Sequence, residues 1–328
     1  MVDAPELPQR AIRLILHADD LGMNEAVTNG ILQSFSQGLL TSTSVLANGP
    51  DFERALLGWR ELQGQQRGNK LPSRENRQRL GDPPLPFDLG VHLNLTQGSP
   101  LTGRAYPSQL LDRQGSFQGI GHAFRALIYG GARYRAAIRA ELAAQIEAVR
   151  MQGVDITHLN GHQYVELIPL VGELISLLAL ENGINIVRLA REPSFVGKGV
   201  LPRLLYYVKR YFARRLQRTL AATSLVSPTT FFGTAHAGLI DLAVCRAFLT
   251  SGERESGVPN AAWEIAFHPG RLVEGSEIRR VSESWHDPLA QLRPQELELL
   301  SSPSLVELLA SFPLHLGRLQ QLSTSPSQ

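Results

Sequence analysis

Residues 12–22 read IRLILHADDLG. The apolar run from Ile12 to Leu16 predicts a buried strand, and polarity switches abruptly at His17, Asp19 and Asp20 before Leu21 and Gly22. Residues 24–37 then place Ala26, Val27, Ile31 and Phe35 on one helical face, with Asn24 in the N-cap position. This unit of strand, polar cluster and helix recurs along the chain. Further strands are predicted at 41–47, 87–95, 156–159, 184–189, 231–236, 263–267 and 314–316, with helices at 51–62, 134–151, 170–181, 201–220, 239–249 and 294–310. The alternation predicts an α/β protein built on a parallel sheet. Roughly seven or eight units fit a single (β/α) barrel, complete or distorted, better than an open three-layer sheet. No G-x-G-x-x-G follows the first strand and no Walker motif occurs, so neither nucleotide fold is supported. One domain over 1–318 is expected, with a polar loop inserted at 64–86 and a disordered tail at 319–328.

Composition narrows the function. Lys and Arg total 32 against 30 Asp and Glu, a net charge of +2 that gives no whole-chain reason to bind nucleic acid. Cys245 is the single cysteine, so any metal must be held by histidines and carboxylates. The opening MVDAPELPQR carries acids where a signal peptide needs a basic flank, and the apolar stretch at 167–180 is interrupted by Pro169 and Glu173, short of the roughly 20 residues of a membrane span. A cytoplasmic protein is expected.

In a parallel barrel the side chains at the C-terminal ends of the strands converge on one mouth. Asp19 and Asp20 fall at such an end, where adjacent carboxylates raise each other's proton affinity unless a cation is near. Capping of the helix at Asn24 is the competing reading. Side-chain alternation along a strand predicts that only one of the pair faces the metal directly. His92 in GVHLNLT, His162 in THLNGHQYVELIP and His268 in EIAFHPG each sit on or just after an apolar run. Singly, His92 and His162 read more readily as core histidines, and His268 has a turn histidine as its competing reading. Together with the acidic pair they offer one carboxylate and two imidazoles, a facial ligand set for one divalent cation: zinc or magnesium first, with manganese, cobalt, nickel and iron also compatible.

The four stretches at 17–22, 90–96, 157–169 and 264–270 resemble, in order, the signature blocks of the YdjC-like carbohydrate deacetylases, a family that includes chitooligosaccharide deacetylases and a hopanoid-biosynthesis-associated branch. The resemblance runs from about Ile12 to Gly270 and implies a barrel like that of the NodB polysaccharide deacetylases. It implies Asp20, His92 and His162 as metal ligands, Asp19 as general base and His268 as general acid. The implied reaction removes acetate from an N-acetylated sugar, either an oligosaccharide or a lipid-linked one. The sequence departs from the pattern D-S-H-Q-H-V-H at Asn160, Tyr164 and Glu166. Asn160 can still hydrogen-bond a ligand imidazole but brings no charge, and Tyr164 is expected to touch substrate. Arg188, at the end of the fifth strand, either orients Asp19 or binds substrate, or is a surface cation. The alternative to an enzyme is a sugar- or lipid-headgroup-binding protein that kept the pocket, which would need neither Asp19 nor His268.

Between Arg188 and Arg218 the chain carries nine Lys or Arg and one acid, Glu192. The helix within this stretch is either a solvated face covering the barrel or an amphipathic surface for anionic lipid headgroups, with Tyr206, Tyr207 and Tyr211 at the interface. A peripheral membrane contact and a homodimer are both open as partner states.

Overall fold

The computed structural model describes residues 12–193, 203–255, 261–272 and 285–323. Strand β1 (Ile12–Leu21) is buried almost throughout, as its apolar sequence demands, and forms the axis of a seven-stranded parallel sheet. The order is β4 (Leu159–Gly161), β3 (Asp88–Leu93), β2 (Ser42–Val45), β1, β6 (Ala262–Phe267), β5 (Thr230–Phe232). One edge of β1 is shared: Ile12 to Leu14 pair with β7 (Leu314–Leu316), and from His17 onward the partner is β2. Among the described residues, the sheet continues between the outer strands β4 and β5 only as isolated parallel bridges, Leu159 to Val187 and Ile186 to Val226. The sheet is therefore a curled, incomplete barrel, in line with the expected distorted (β/α) architecture.

Helices cover the sheet's outer face. They are α1 (Glu25–Ser36), α2 (Phe52–Arg67), α3 (Arg74–Arg79), α4 (Ile120–Arg150), α5 (Pro169–Glu181), α6 (Arg203–Ala221), α7 (Leu242–Glu255), α8 (Arg293–Leu300) and α9 (Pro303–Ala310). Asn24 caps α1 as expected, its side chain accepting from the Val27 amide at 2.9 Å.

Several boundaries differ from expectation for identifiable reasons. β1 runs on to Leu21, so His17, Asp19 and Asp20 lie inside the strand. The fourth strand is 159–161 rather than 156–159, and 184–189 contributes bridges rather than a regular strand. α4 starts at Ile120 because Ala123, Leu127 and Gly131 continue the buried stripe of Tyr134 and Ile138 through a segment rich in glycine. Pro303 splits 294–310 into two helices, with Ser302 accepting from the Ser304 amide at the second N-terminus. Leu319, expected in the tail, is buried in a short 3-10 turn, its amide donating to Asp88 at 2.5 Å. Residues 1–11, 201–202 and 324–328 lie outside the described residues.

The expected loop at 64–86 holds the end of α2 and all of α3; most of its polar residues are exposed, but Ser73 and Arg77 are buried and tie the stretch to the core. Arg77 is buried, donating to the Phe35 and Leu40 carbonyls at 2.9 and 2.8 Å. Asp82 joins it to buried Arg318, with ion pairs of 3.1 and 2.6 Å, and both guanidiniums lie over the Phe87 ring. One carboxylate thus serves two buried cations. Replacing Asp82 by Ala should cost about 3–5 kcal/mol in urea unfolding, the usual penalty for leaving buried charge unpaired. A loss below about 1 kcal/mol would mean the backbone carbonyls suffice.

Candidate active site

From Ala18 opposite Thr43 to Leu21 opposite Val45, β1 uses one residue more than β2. The extra residue makes a bulge, with Asp20 at φ 72° and Gly22 at φ 86°. Aspartate tolerates this left-handed conformation better than most side chains. The bulge breaks the alternation, so Asp19 and Asp20 both line one cavity of about 530 Å³, while only Asp20 of the pair falls, among the described residues, in a cluster with His92 and His162 that could hold a metal. His92 near the end of β3, His162 directly after β4 and His268 directly after β6 line it too. The strand-end rule of parallel barrels brings the four segments together.

Each carboxylate has its own arginine. Arg188 donates through Nη1 to both oxygens of Asp19 at 2.8 Å, and its Nε and Nη2 meet Glu264 Oε1 at 2.8 and 2.6 Å. Arg188 is only 2% exposed, which removes the surface-cation reading. Arg293 donates through Nη2 to Asp20 Oδ2 at 2.8 Å and pairs with Asp287 at 2.7 Å. Burial alone would raise the proton affinity of both aspartates, but Arg188 and His92 beside Asp19, and Arg293 and His162 beside Asp20, hold both well below the usual carboxylate range. Behind them His17 is pushed down to about 3 by burial and by Arg188, so it is neutral and shares hydrogen bonds with the Ser42 and Ser44 hydroxyls.

Asp20, His92 and His162 each offer one ligand atom, all within 4.8 Å of one another. Asp20 Oδ1 is 2.9 Å from His162 Nδ1 and 3.4 Å from His92 Nε2. Donors bound at about 2.1 Å to a common ion lie roughly 3 Å apart, so the set fits a first-row divalent cation. Asn160 links His92 to Asp19: its Oδ1 accepts from His92 Nδ1 at 3.0 Å, which leaves Nε2 free for a metal, and its Nδ2 donates to Asp19 Oδ1 at 3.0 Å. His268 presents Nε2 to Asp19 Oδ2 across 3.9 Å, so acid and base candidates are neighbours rather than flanking the site from opposite sides. Its amide donates to Glu296 at 2.5 Å, and burial lowers its proton affinity against the pull of Asp20 and Asp19.

Tyr164 lines the cavity, held by a turn with positive φ at Gln163 and Tyr164, and Lys209 of α6 lies 4.0 Å from its ring centroid. Glu166 is buried behind the wall, pushed up to about 7 by burial. Sequence reasoning missed Glu264, Arg293, Asp287, Glu296 and Lys209. A charged residue inside the apolar strand AWEIAF was a signal for Glu264; the others carry no motif.

The profile described as YdjC-like protein matches residues 13–311. The chain belongs to the YdjC-like family. Similar proteins include carbohydrate deacetylases of Danio rerio, 27% identical over 60% of this chain and 55% of its own length, and of Listeria welshimeri, 31% identical over 56% and 64%. The carbohydrate deacetylase of Mus musculus is 31% identical over 55% of this YdjC-like chain and 51% of its own length. The matched stretch thus spans between half and two thirds of these relatives. In fold, the chain is similar to an Enterococcus faecalis V583 protein provisionally described as a cellobiose-phosphate cleavage protein, with a TM-score of 0.64 at 19% identity over 95% of this chain and 99% of that one.

Removing the shared cation tests the electrostatics. Arg188→Met should leave Asp19 and Glu264 buried without a counter-charge and destabilise the protein by about 3–5 kcal/mol. One of the two would then have a folded-state pKa above its unfolded value, so the variant should lose further stability as pH rises through that pKa. Urea unfolding at acidic and alkaline pH measures this, and a pH-independent deficit would place the compensation elsewhere.

Proposed function

We propose that this chain hydrolyses the acetamide of an N-acetylated sugar, oligosaccharide or lipid-linked, with one divalent ion held by Asp20, His92 and His162. The observation that carries the proposal is the pairing of a candidate ligand carboxylate with a second carboxylate, Asp19, buried beside it and held through both oxygens by Arg188 at 2.8 Å. The names of the carbohydrate deacetylase relatives support the substrate class. Zinc, manganese, iron, cobalt or nickel suits two imidazoles and a carboxylate, and magnesium is the harder-ligand alternative. When bound, the ion supplies Lewis acidity to the acetamide oxygen and acidifies water.

The chain's own residues do the rest. Asp19, fixed by Arg188 and Asn160, takes a proton from the attacking water; its Oδ2 is the oxygen nearer His268. His268, 3.9 Å from Asp19 Oδ2, accepts that proton from Asp19 and gives it to the departing nitrogen, so the C–N bond breaks to release a neutral amine and acetic acid, which ionises to acetate. The apolar walls of the cavity, Phe124, Leu205, Val208 and Phe212 among them, exclude bulk water. Tyr164 and Lys209 stand where a sugar hydroxyl would meet them. Residues from β1, β3, β4 and β6 act together, so 1–318 is taken as one catalytic unit.

Acetate release from a panel of N-acetylated mono-, oligo- and lipid-linked sugars tests the reading. A chelator should abolish it and a divalent ion restore it; full turnover in metal-free protein would overturn the proposal. Asp19→Asn should bind metal nearly normally yet lose about 10²- to 10⁴-fold in kcat. By contrast Asp20→Asn should lose metal affinity first and recover in part at high metal. His268→Ala should keep the metal and lose turnover, as followed by metal analysis beside acetate assays.

A further inference from the structure

Helix α6 carries two kinds of outward residue in succession. At about 100° per residue, Leu204, Tyr207, Val208 and Tyr211 fall on one stripe, and Arg214, Arg215 and Arg218 continue that stripe toward the C-terminus. The apolar members are exposed by 77, 59, 38 and 63% respectively, and all three arginines are exposed. The opposite face, Tyr206, Ala213, Leu216 and Leu220, is buried. The first two turns therefore show water an apolar and aromatic surface, and the later turns show it cations. No acidic residue lies anywhere in α6, which carries six basic ones.

We infer that the outward face of α6 docks this protein on an anionic lipid bilayer. Leu204, Tyr207 and Tyr211 enter the boundary between headgroups and acyl chains, and Arg214, Arg215 and Arg218 meet the lipid phosphates. Charge complementarity selects this occupant. A second copy meeting the face across a two-fold axis would bring no acid to these arginines and would set them against one another or against the apolar turns. A nucleic-acid duplex would use the arginines but leave Leu204, Tyr207 and Tyr211 in water, and a single strand could stack on the tyrosines but offers Leu204 nothing apolar. The same helix contributes Leu205, Val208, Lys209 and Phe212 to the wall of the cavity that holds Asp20, His92 and His162. On α4, Phe124 packs edge-on against Phe212, with exposed Ile128 one turn beyond. Docking would therefore bring this wall of the cavity to the membrane surface. The inference goes beyond the acetyl-hydrolysis reading and is tested without turnover.

Full-length protein is floated with phosphatidylcholine vesicles, with and without phosphatidylglycerol. Binding is expected only with the anionic lipid, and it should weaken as salt rises. Replacing Arg214, Arg215 and Arg218 by Gln should reduce binding by about 10²-fold, at about fivefold for each cation near the surface. Leu204→Ser with Tyr207→Ser and Tyr211→Ser, none of which lines the cavity, should reduce it by about tenfold or more. Thermal melts by circular dichroism confirm that both variants fold, and the two sets act independently. The inference is overturned by absent binding to anionic vesicles, by equal binding to neutral ones, or by unchanged binding in either variant. Sedimentation equilibrium showing a dimer that the Leu204, Tyr207 and Tyr211 variant dissolves would also overturn it, making the face an interface between copies.

Discussion

Asp19 and Asp20 are consecutive in the chain, both buried, and both aimed into one cavity by the bulge in β1. Two unit charges about 4 Å apart repel by roughly 4 kcal/mol at the effective dielectric of a partly wet protein site. Much of the polar architecture around them answers that cost. Arg188 reaches Asp19 from the segment after α5, and Arg293 reaches Asp20 from the start of α8, so chain distant in sequence is recruited to hold each carboxylate ionised. Neither arginine would be stable there alone, since a guanidinium buried to 2% exposure needs its partner as much as the carboxylate does.

Asn160 shows how the same constraint reaches the neighbouring strand. The family pattern carries an aspartate at this position, which would accept from His92 and strengthen it as a ligand. It would also set a third carboxylate against Asp19. With asparagine, one end accepts from His92 and the other donates to Asp19, so a repulsive contact becomes a hydrogen bond. The exchange gives up the charge that would strengthen His92 as a donor and orients Asp19 with a hydrogen bond.

The parts of this design that lie in strands were legible in the sequence. IRLILHADDLG, GVHLNLT and EIAFHPG put polar residues at the ends of apolar runs, and a parallel sheet carries those ends to one place, so Asp19, Asp20, His92 and His268 could be grouped before any coordinate was seen. The parts that hold the charges were not legible. Arg293 opens α8 and Asp287 precedes it, neither within an apolar run that signals burial, and the bulge that turns both aspartates inward is a register event between β1 and β2 with no composition of its own. Arg77 and Asp82 failed for the same reason: in sequence a polar stretch reads as solvated, and only the fold shows that Phe35, Leu40 and Phe87 enclose it.

Charge balance carries the argument one step further. Arg188 is shared by Asp19 and Glu264, and Arg293 by Asp20 and Asp287, so four carboxylates face two guanidiniums. With His17 neutral, the fully ionised cluster has an excess of two negative charges. The protein's own groups register that excess. Burial, with Asp19 beside it, drives Glu264 upward despite Arg188, and His92 is drawn upward by Asp19 and Asp20 although burial opposes it. A divalent cation at Asp20, His92 and His162 would neutralise the excess and give His92 Nε2 an electron-pair acceptor in place of a proton. Electrostatics and donor geometry therefore select the same charge at the same place, and the bulge that creates the repulsion also creates the site that relieves it.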